Sequence, residues 1–418
     1  LNFMKNFIII LFLTLSICCN NINKVENENK ILEFQKTLIE DEVTGSNIVM
    51  VFKDGEIVYK EVVNSGKLGD KNITNETIFP IWSMSKPITT VAMMILLDRG
   101  LYKLDDNLTK YLPEYKNIQC KSEDGVYPCK NKIRIIDLLT HRSGYQYYTF
   151  DGKNRFLSPP SPFGKYTSSY NYDNLNDFSM DVSKEPLEFE PGTKYTYGIN
   201  QAILGRLIEV LSNQSFYNFL KENLFNHLDM NNTKFYLTKE DREKFQPLFI
   251  NVFPDNPLNP FNQTDILKGF TTILDELTYD IDNHAHFGGE GLVSTFSDYS
   301  NFCEMLVNKG VYNDKQIISQ NSFELMTKKY SNGYPDPNEP YAFPDYKGHY
   351  YGFTFSVLEN PEIDGTGASK GIFGWSGYHN THFWIDPEKK LFGLFMSRSR
   401  EFSFQIHKNF RRAVYLNY

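Results

Sequence analysis

One apolar segment, residues 81–100, constrains the fold of this chain more than any other. After Pro87 its apolar side chains recur at helical spacing, with no charge until Asp98, and this pattern predicts a helix buried in a core. Gly100 stands where a glycine commonly ends a helix, and a proline is tolerated only in the first turn. The segment therefore predicts a buried helix that begins near Ser83.

The start of this helix carries a serine and a lysine three residues apart. Residues at this spacing share one helix face, so we expect the amine of Lys86 close to the hydroxyl of Ser83. A serine becomes a nucleophile when a base removes its proton, and burial lowers the pKa of a lysine towards that role. The N–H groups of a helix N-terminus would stabilise an oxyanion nearby. Ser83 is the only serine in the chain with a lysine three positions later, so the pair is a candidate nucleophile and base.

Composition limits the class of protein. The chain has 418 residues, of which 41% are hydrophobic, enough for one large domain with an insertion. The net charge is −8 and no dense run of lysine and arginine occurs, so we do not expect nucleic acid as a partner. His284 and His286 form a His-Ala-His pattern without a nearby third ligand, which makes a metal hydrolase a weak alternative. We expect no metal and no cofactor.

The N-terminal part has the pattern of a targeting segment. Residues 1–19 contain a lysine followed by a short apolar run, the layout of an export signal, and the polar residues 20–30 predict a tether. Cys18 ends a Leu-Ser-Ile-Cys segment that resembles a bacterial lipobox, so it is a candidate for lipidation. Ordinary cleavage and an uncleaved anchor are the alternatives. We expect an exported protein, either periplasmic or a membrane-anchored lipoprotein in a bacterium, and secreted otherwise.

The cysteines and one histidine have structural interpretations. Export would place the chain in an oxidising compartment, and Cys120 and Cys129 bracket a short polar loop, so we expect a disulfide between them. Cys303 lies on an apolar helix face and is expected to be a buried thiol. His141, at the end of a predicted helix, is expected to form structural hydrogen bonds.

Strand patterns occur at both ends of the chain, with helical patterns between them. Two β-rich runs flank residues 53–56, which predicts a hairpin. We expect a mixed α/β fold in which an antiparallel sheet, from about 31–80 and 290–418, is flanked by helices. A mostly helical region, about 81–289, is inserted into it. Together, residues 31–418 would form one catalytic domain.

Five segments together resemble the serine β-lactamase and penicillin-binding protein superfamily, most closely class C β-lactamases and family VIII carboxylesterases. In chain order they are FPIWSMSKPIT, IIDLLTHRSG, PGTKYTYGINQAILGRLIE, GGEGLVSTFSDY and FGWSGYHNTHFWIDP. The resemblance extends from about residue 45 to residue 400. It implies a β-lactamase/transpeptidase-like fold.

The resemblance also implies roles for particular residues. Ser83 would be the acylated nucleophile, Lys86 its activating partner, and Tyr197 a general base that later serves the deacylating water. A phenol ordinarily loses its proton at about pH 10, so this role needs a cation beside it. Backbone N–H groups of Ser83 and Tyr378 would form the oxyanion hole. Gly377 would let a substrate lie close to its strand.

Two positions depart from the β-lactamase pattern and bear on the substrate. Ile199 stands where those enzymes have an asparagine, with Asn200 one place later, and Trp375 stands where they have a lysine. Together with Ser376 and Gly377, these residues would bind the substrate. An indole cannot replace a cation that faces a carboxylate. Family VIII esterases have the same two substitutions, so the resemblance favours an uncharged ester as substrate.

The sequence thus predicts a serine hydrolase that acts on ester or amide bonds through an acyl-enzyme, most closely a carboxylesterase of uncharged acyl esters. One alternative is a β-lactamase or D-amino-acid peptidase acting on cell-wall-like substrates. Another is a catalytically silent binding protein on the same scaffold. The expected partner is a small ester or amide, with the N-terminal segment as a membrane tether. The sequence indicates no oligomeric state.

Overall fold

The structure is a computed structural model of the chain. It describes residues 30–147, 149–150, 156–157, 172–251, 268–271, 277–333, 346–400 and 402–418. The predictions for the export signal, for Cys18 and for nearly all of the tether therefore lie outside the described residues. Within the described ranges, every helix is too short or too polar to cross a membrane.

The described residues contain strands, helices and short 3-10 turns distributed along the whole chain. The strands are β1 (Asn47–Lys53), β2 (Glu56–Val63), β3 (Ile78–Pro80), β4 (Gln119–Ser122), β5 (Gly125–Pro128), β6 (Thr149–Phe150), β7 (Phe156–Leu157), β8 (Leu248–Asn251), β9 (Lys268–Thr271), β10 (Val293–Thr295), β11 (Val311–Tyr312), β12 (Lys315–Gln316), β13 (Ser331–Asn332), β14 (His349–Tyr351), β15 (Ser356–Leu358), β16 (Phe373–Gly377), β17 (Thr381–Asp386), β18 (Leu391–Met396) and β19 (Ser399–Arg400). The helices are α1 (30–40), α2 (Ser85–Asp98), α3 (Ile135–Leu139), α4 (Leu175–Val182), α5 (Asn200–Ser212), α6 (Phe216–Asn223), α7 (Lys239–Lys244), α8 (Phe296–Val307), α9 (Gln320–Thr327), α10 (Pro361–Asp364) and α11 (Phe404–Tyr415).

An eight-stranded antiparallel sheet forms the centre of the fold, with the strand order β13-β14-β15-β16-β17-β18-β1-β2. The predicted hairpin is confirmed, because β1 pairs with β2. On its other side β1 pairs with β18, which places Ile48 opposite Met396. Helices α2 to α9 lie in the chain between the two groups of strands that form this sheet. The predicted mixed α/β class is therefore confirmed, with an antiparallel sheet built from both ends of the chain.

The sheet is covered by helices on both faces. Successive residues of a strand face opposite sides. Val49 and Val51 pack in a cluster with residues of α1 and α11, whereas Ile48 and Met50 belong to the large core that contains α2 and α8. Burial on both sides explains why β1 is a continuous apolar run rather than an alternating one. The result is three layers, with the sheet in the middle.

The buried helix predicted from residue 83 begins slightly later in the structure. Ser83 lies on a 3-10 turn, Trp82–Met84, and the α-helix starts at Ser85. The backbone of Trp82, whose φ of 47° lies in the left-handed region, prevents a regular helix from extending back beyond Ser83. The rest of the prediction is confirmed, because the helix interior is buried and Gly100, with φ of 70°, follows its end.

The structure contains the predicted disulfide between Cys120 and Cys129, which joins β4 and β5, and Cys303 is a buried free thiol, as predicted. A disulfide stabilises a fold mainly by restricting the unfolded chain. Replacing both disulfide cysteines with alanine should lower the free energy of unfolding by about 2–3 kcal/mol, measured by urea denaturation without reductant. Adding reductant should destabilise the wild type by a similar amount and leave the variant unchanged. A variant as stable as the oxidised wild type would contradict this expectation.

Candidate active site

Two side chains contact the hydroxyl of Ser83 at the turn before α2. Nζ of Lys86 donates a hydrogen bond to Ser83 Oγ at 3.0 Å, and the hydroxyl of Tyr197 donates to the same oxygen at 2.8 Å. Lys86 belongs to the first turn of α2, whereas Tyr197 lies in an irregular segment shortly before α5. The structure therefore brings together the three residues that motif spacing and resemblance had singled out.

Lys86 is completely buried, and its surroundings change its acidity. Its side chain is 0% exposed, and Nζ also donates to the carbonyl of Gly289 at 2.7 Å. Burial lowers the pKa of the Lys86 ammonium to about 7, although the negative charge of Glu290 opposes part of that shift. A lysine with this pKa is partly neutral at neutral pH, so it can accept the proton of Ser83.

Two residues beside Lys86 were missed by the sequence reasoning. The hydroxyl of Tyr147 donates to Oε2 of Glu290 at 2.9 Å, and Nζ of Lys86 lies 5.0 Å from the centre of the Tyr147 ring. Burial raises the pKa of Glu290 to about 7, with Lys86 and the Tyr147 hydrogen bond opposing the rise. A signal for Glu290 was present, since a lone carboxylate among glycines in GGEG is unusual. Tyr147 stands in an aromatic-rich segment without periodicity, which gave no such signal.

The turn that carries Ser83 is strained and is held by its neighbours. A non-glycine residue in the left-handed region costs about 1–3 kcal/mol, and Trp82 has this conformation directly before Ser83. Nε1 of Trp82 donates to Nδ1 of His379 at 2.9 Å. The backbone N–H of Ile81 donates to the carbonyl of Leu292 at 3.0 Å. These bonds hold the turn through the Trp82 side chain and through the backbone of the residue before it.

Gly377 has a packing role in addition to the one predicted. A Cβ atom at this position would overlap the carbonyl oxygen of Ile81 and Oγ1 of Thr381, far inside van der Waals contact. The glycine therefore lets β16 approach the turn that carries Ser83. That the backbone at Gly377 also lets a substrate lie close to the strand stays a prediction.

Tyr378 lies next to the same turn. Its ring is 5.3 Å from the ring of Trp82, edge to face, and its hydroxyl accepts hydrogen bonds from Nε and Nη2 of Arg400 at 3.2 and 2.9 Å. Two neighbouring turns thus carry the backbone N–H groups of Ser83 and Tyr378. This placement is compatible with an oxyanion hole.

Trp375 forms an apolar wall of the site. It shares a face of β16 with Gly377, and it is 4% exposed. Its ring centre lies 5.8 Å from that of Tyr197 and is stacked on Tyr346 at 6.0 Å, with the ring of Tyr351 edge-on at 6.0 Å. The position that would require a cation in a β-lactamase therefore presents an indole to the catalytic tyrosine candidate.

Ser376 lies on the opposite side of the sheet from the site. Because neighbouring residues on a strand alternate, its side chain faces the layer of α11. There Ser376 Oγ is 2.8 Å from Nδ1 of His382 and 3.2 Å from Nδ1 of His407. The assignment of Ser376 as substrate-binding is therefore wrong for its side chain.

Ile199 and Asn200 are buried at the start of α5, two and three residues after Tyr197. Ile199 is 3% exposed and Asn200 is fully buried. Asn200 Nδ2 is 2.8 Å from Nδ1 of His141, and Asn200 Oδ1 accepts from Ser143 Oγ at 2.5 Å. The assignment of Asn200 as substrate-binding is wrong, because both ends of its amide are held by buried neighbours. The substrate contact of Ile199 stays a prediction. His141 is a structural residue as predicted, since its Nδ1 also accepts from the N–H of Gly198 at 3.3 Å.

Among the described residues, the side chains close enough to share a metal ion are Cys120, Cys129 and Glu190. The sulfurs of the two cysteines are bonded to each other. His286, from the His-Ala-His pattern, stacks on the ring of Phe235 at 4.6 Å.

Comparison with known proteins identifies the family. A family model described as Beta-lactamase matches residues 36–416. Protein Rv1367c of Mycobacterium tuberculosis is 26% identical over 341 residues, which cover 77% of each chain. Esterase EstB of Burkholderia gladioli is 29% identical over 187 residues, covering 43% of this chain and 44% of that one. The solved structure of EstCE1, described as a hydrolase with promiscuous acyltransferase activity, has a TM-score of 0.75 at 19% identity and covers 94% of this chain and 100% of that chain.

These matches agree with the geometry of the site. The region matched by the family model contains the whole constellation around Ser83, and the similarity to EstCE1 confirms the predicted fold. The prediction of a serine hydrolase for ester or amide bonds agrees with this family. The chain therefore belongs to the beta-lactamase family.

Proposed function

We propose that this protein is a serine hydrolase that cleaves uncharged carboxylic esters through an acyl-enzyme on Ser83. One observation carries the proposal: Ser83 Oγ lies within hydrogen-bond distance of both Lys86 Nζ and the Tyr197 hydroxyl. The Lys86 amine and the Tyr197 hydroxyl can each accept and donate a proton, and the amine is buried. Two groups able to exchange a proton with one serine form the arrangement that nucleophilic catalysis requires.

Acylation follows from this geometry. Neutral Lys86, directly or through Tyr197, removes the proton of Ser83 while Oγ attacks the carbonyl carbon of the ester. The negative charge that develops on the carbonyl oxygen is stabilised by the backbone N–H groups of Ser83 and Tyr378. The carbon–oxygen bond to the alcohol then breaks, and the alcohol leaves with the proton that Lys86 and Tyr197 had accepted.

Deacylation uses Lys86 and Tyr197 again, now to activate a water molecule and to return a proton to Ser83. The Tyr197 hydroxyl first passes its proton to the neutral amine of Lys86. The resulting phenolate, stabilised by the Lys86 cation beside it, then removes a proton from a water molecule, and that proton later returns to Ser83 Oγ. The water oxygen attacks the carbonyl carbon of the acyl-enzyme, the bond to Ser83 Oγ breaks, and the carboxylic acid is released. Ser83 regains its proton. Nζ of Lys86 lies 4.8 Å from the centre of the Tyr197 ring, close enough for this electrostatic support.

The substrate preference rests on Trp375. A charged carboxylate placed against a buried indole loses its hydration without gaining a counter-ion, whereas a neutral ester loses little. A hydrogen bond to a charged group is worth about 1.5–3 kcal/mol. The absence of a cation at this position should therefore lower kcat/KM for substrates that carry a carboxylate by about ten- to hundredfold.

A substrate panel tests this proposal. We expect p-nitrophenyl esters with short and medium acyl chains to be hydrolysed with a higher kcat/KM than nitrocefin, which carries a carboxylate. In Trp375→Lys the ratio should move towards nitrocefin by about tenfold, because an ammonium replaces the indole. Trp375→Phe is the matched control, since it keeps an apolar ring and should keep the preference for esters. A wild-type protein that prefers nitrocefin to p-nitrophenyl butyrate would establish the β-lactamase alternative instead.

The same panel separates the remaining alternatives. A peptide ending in D-alanyl-D-alanine, if cleaved faster than every ester, would favour a D-amino-acid peptidase. Binding of esters with neither turnover nor acylation of Ser83 would favour a silent binding protein on this scaffold.

We also propose that the protein acts after export. Disulfides persist in oxidising compartments, and the Cys120–Cys129 bond supports this location. Fractionation of the native cells, followed by detection of the chain with an antibody, tests the proposal. Recovery of the full-length chain from the cytoplasm with both thiols free would overturn it.

A further inference from the structure

Glu290 is a buried carboxyl group that the proposed reaction does not use. It is 6% exposed and belongs to the Gly-Gly-Glu-Gly segment before β10. One carboxyl oxygen accepts the hydrogen bond from Tyr147, and Oε1 has no hydrogen-bond partner among the described residues. Burying a carboxyl group with an unsatisfied oxygen is costly, so its presence beside the nucleophile needs an explanation.

Tyr147 and Lys86 both lie next to Gly289. The carbonyl of Gly289 accepts from Lys86 Nζ, and a Cβ atom at Gly289 would lie 2.7 Å from the Tyr147 hydroxyl and 3.5 Å from Lys86 Nζ. The contact at 2.7 Å is too close for a Cβ atom, so a side chain at this position would displace the Tyr147 hydroxyl, whereas 3.5 Å to Lys86 Nζ is an ordinary contact. The glycine-rich segment therefore brings Lys86, Tyr147 and Glu290 into one buried cluster.

The groups that face Lys86 in the described structure differ in charge. Ser83 and Tyr197 contact its amine, and the ring of Tyr147 lies beside it. His141 is close enough to be affected by the Lys86 charge, but burial and that charge hold the pKa of His141 well below its usual value, so it is neutral. Within the described part of the chain, Glu290 is the carboxylate whose charge acts on Lys86.

We propose that Tyr147 and Glu290 are positioning residues that set the charge of Lys86 and thereby the lowest pH at which Ser83 can be acylated. This inference rests on the function proposed above, in which the neutral amine of Lys86 is the base. An ionised Glu290 favours the ammonium form of Lys86, and a neutral Glu290 favours the free amine. Tyr147 donates to Glu290 and stabilises its ionised form.

Burial of both groups supports an electrostatic coupling between Lys86 and Glu290. It lowers the pKa of Lys86 to about 7 and raises that of Glu290 to about 7, so both groups change charge in the same pH range. Two interacting groups that titrate together give apparent pKa values that belong to the pair. The pair, and not Lys86 alone, would then determine the acid limb of the pH–rate profile.

The test is the pH dependence of kcat/KM for p-nitrophenyl butyrate, from about pH 5 to about pH 9. Glu290→Gln removes the negative charge but keeps an acceptor for Tyr147. Without that charge the ammonium form of Lys86 is less stable, so the acid limb should move about one pH unit lower. The activity on the neutral plateau should stay within about tenfold of the wild type. A merely structural role for Glu290 would change the plateau and leave the limb in place.

Two further variants provide controls. Tyr147→Phe removes the hydrogen bond that favours ionised Glu290, so it should shift the limb in the same direction by a smaller amount. The double variant should shift no further than Glu290→Gln alone, because both changes act through one carboxylate. Glu304→Gln, on α8, removes a partly buried carboxylate whose pKa is raised by burial alone, and it should leave the limb unchanged.

The inference and the proposed function fail in different ways. An acid limb that stays in place, or moves to higher pH, in both Glu290→Gln and Tyr147→Phe would overturn the role of the pair, even if Ser83 is still acylated. If Glu290→Gln does not fold, the shift in Tyr147→Phe decides the question alone. Loss of plateau activity without any shift of the limb would also overturn the inference, because it would indicate a structural role.

Discussion

In Ser83→Ala, kcat/KM for p-nitrophenyl butyrate is expected to fall by about 10⁴-fold or more. The variant lacks the oxygen that Lys86 and Tyr197 contact, so no acyl-enzyme can form and only the binding of the substrate remains. Intact-mass measurement after treatment with a fluorophosphonate provides a second readout. The wild type should gain the mass of one adduct, and the variant should gain none.

Ser85 offers a matched control two residues along the chain. Its Oγ accepts from the N–H of Leu292 at 3.2 Å and contacts neither Lys86 Nζ nor Tyr197. Ser85→Ala should therefore lower the free energy of unfolding by about 1 kcal/mol and change kcat/KM by less than about tenfold. Labelling of another serine in Ser83→Ala, with ester hydrolysis retained, would end the assignment of Ser83 as nucleophile.

The second large effect is expected for stability. Gly377→Ala places a methyl group where Ile81 O and Thr381 Oγ1 already lie. The Ile81 carbonyl belongs to a backbone that is held by its bond to Leu292, so it cannot move aside cheaply. We expect a loss of about 3 kcal/mol in the free energy of unfolding, measured by urea denaturation. Since a displacement of about 1 Å at Ser83 costs about 10²-fold in rate, kcat/KM per folded molecule should fall as well.

Gly205 provides the control for this substitution. It lies inside α5, where alanine is favoured over glycine by about 1 kcal/mol, and a Cβ atom there would meet side-chain atoms of Leu175 and Phe216 at 3.2 Å. Those side chains can adjust, so Gly205→Ala should stay within about 1 kcal/mol of the wild type. A Gly377→Ala protein with wild-type stability and activity would show that β16 does not need to approach the turn so closely.

Local relations in the site could be predicted from the sequence because they depend on spacing. Ser83 and Lys86 are three residues apart, and this spacing kept the two side chains together even though the turn is a 3-10 turn. The 53–56 hairpin followed from turn chemistry in the same way. The place of Tyr197 beside Ser83 depends on contacts between distant segments, and only the family resemblance supplied it.

The wrong assignments share another physical cause. Ser376 was grouped with Trp375 because the two are adjacent in a motif, but adjacent residues of a strand face opposite sides of the sheet. Asn200 was grouped with Ile199 for the same reason, and its hydrogen bonds to buried neighbours became visible only in three dimensions. Tyr147 and Glu290 meet across the fold, and neither periodicity nor spacing relates them.

The pairing of β1 with β18 has a consequence for the order of events during synthesis. More than three hundred residues separate β1 from β18, so the central sheet cannot close until β18 has left the ribosome. Contacts this distant in sequence also form slowly, because the closure of a long loop is entropically unfavourable. The strand that holds the turn of Ser83, β16, arrives just as late. A nascent chain therefore carries Ser83 long before the sheet can form around it, and hydrolytic activity would appear only after β16 to β18 have been synthesised.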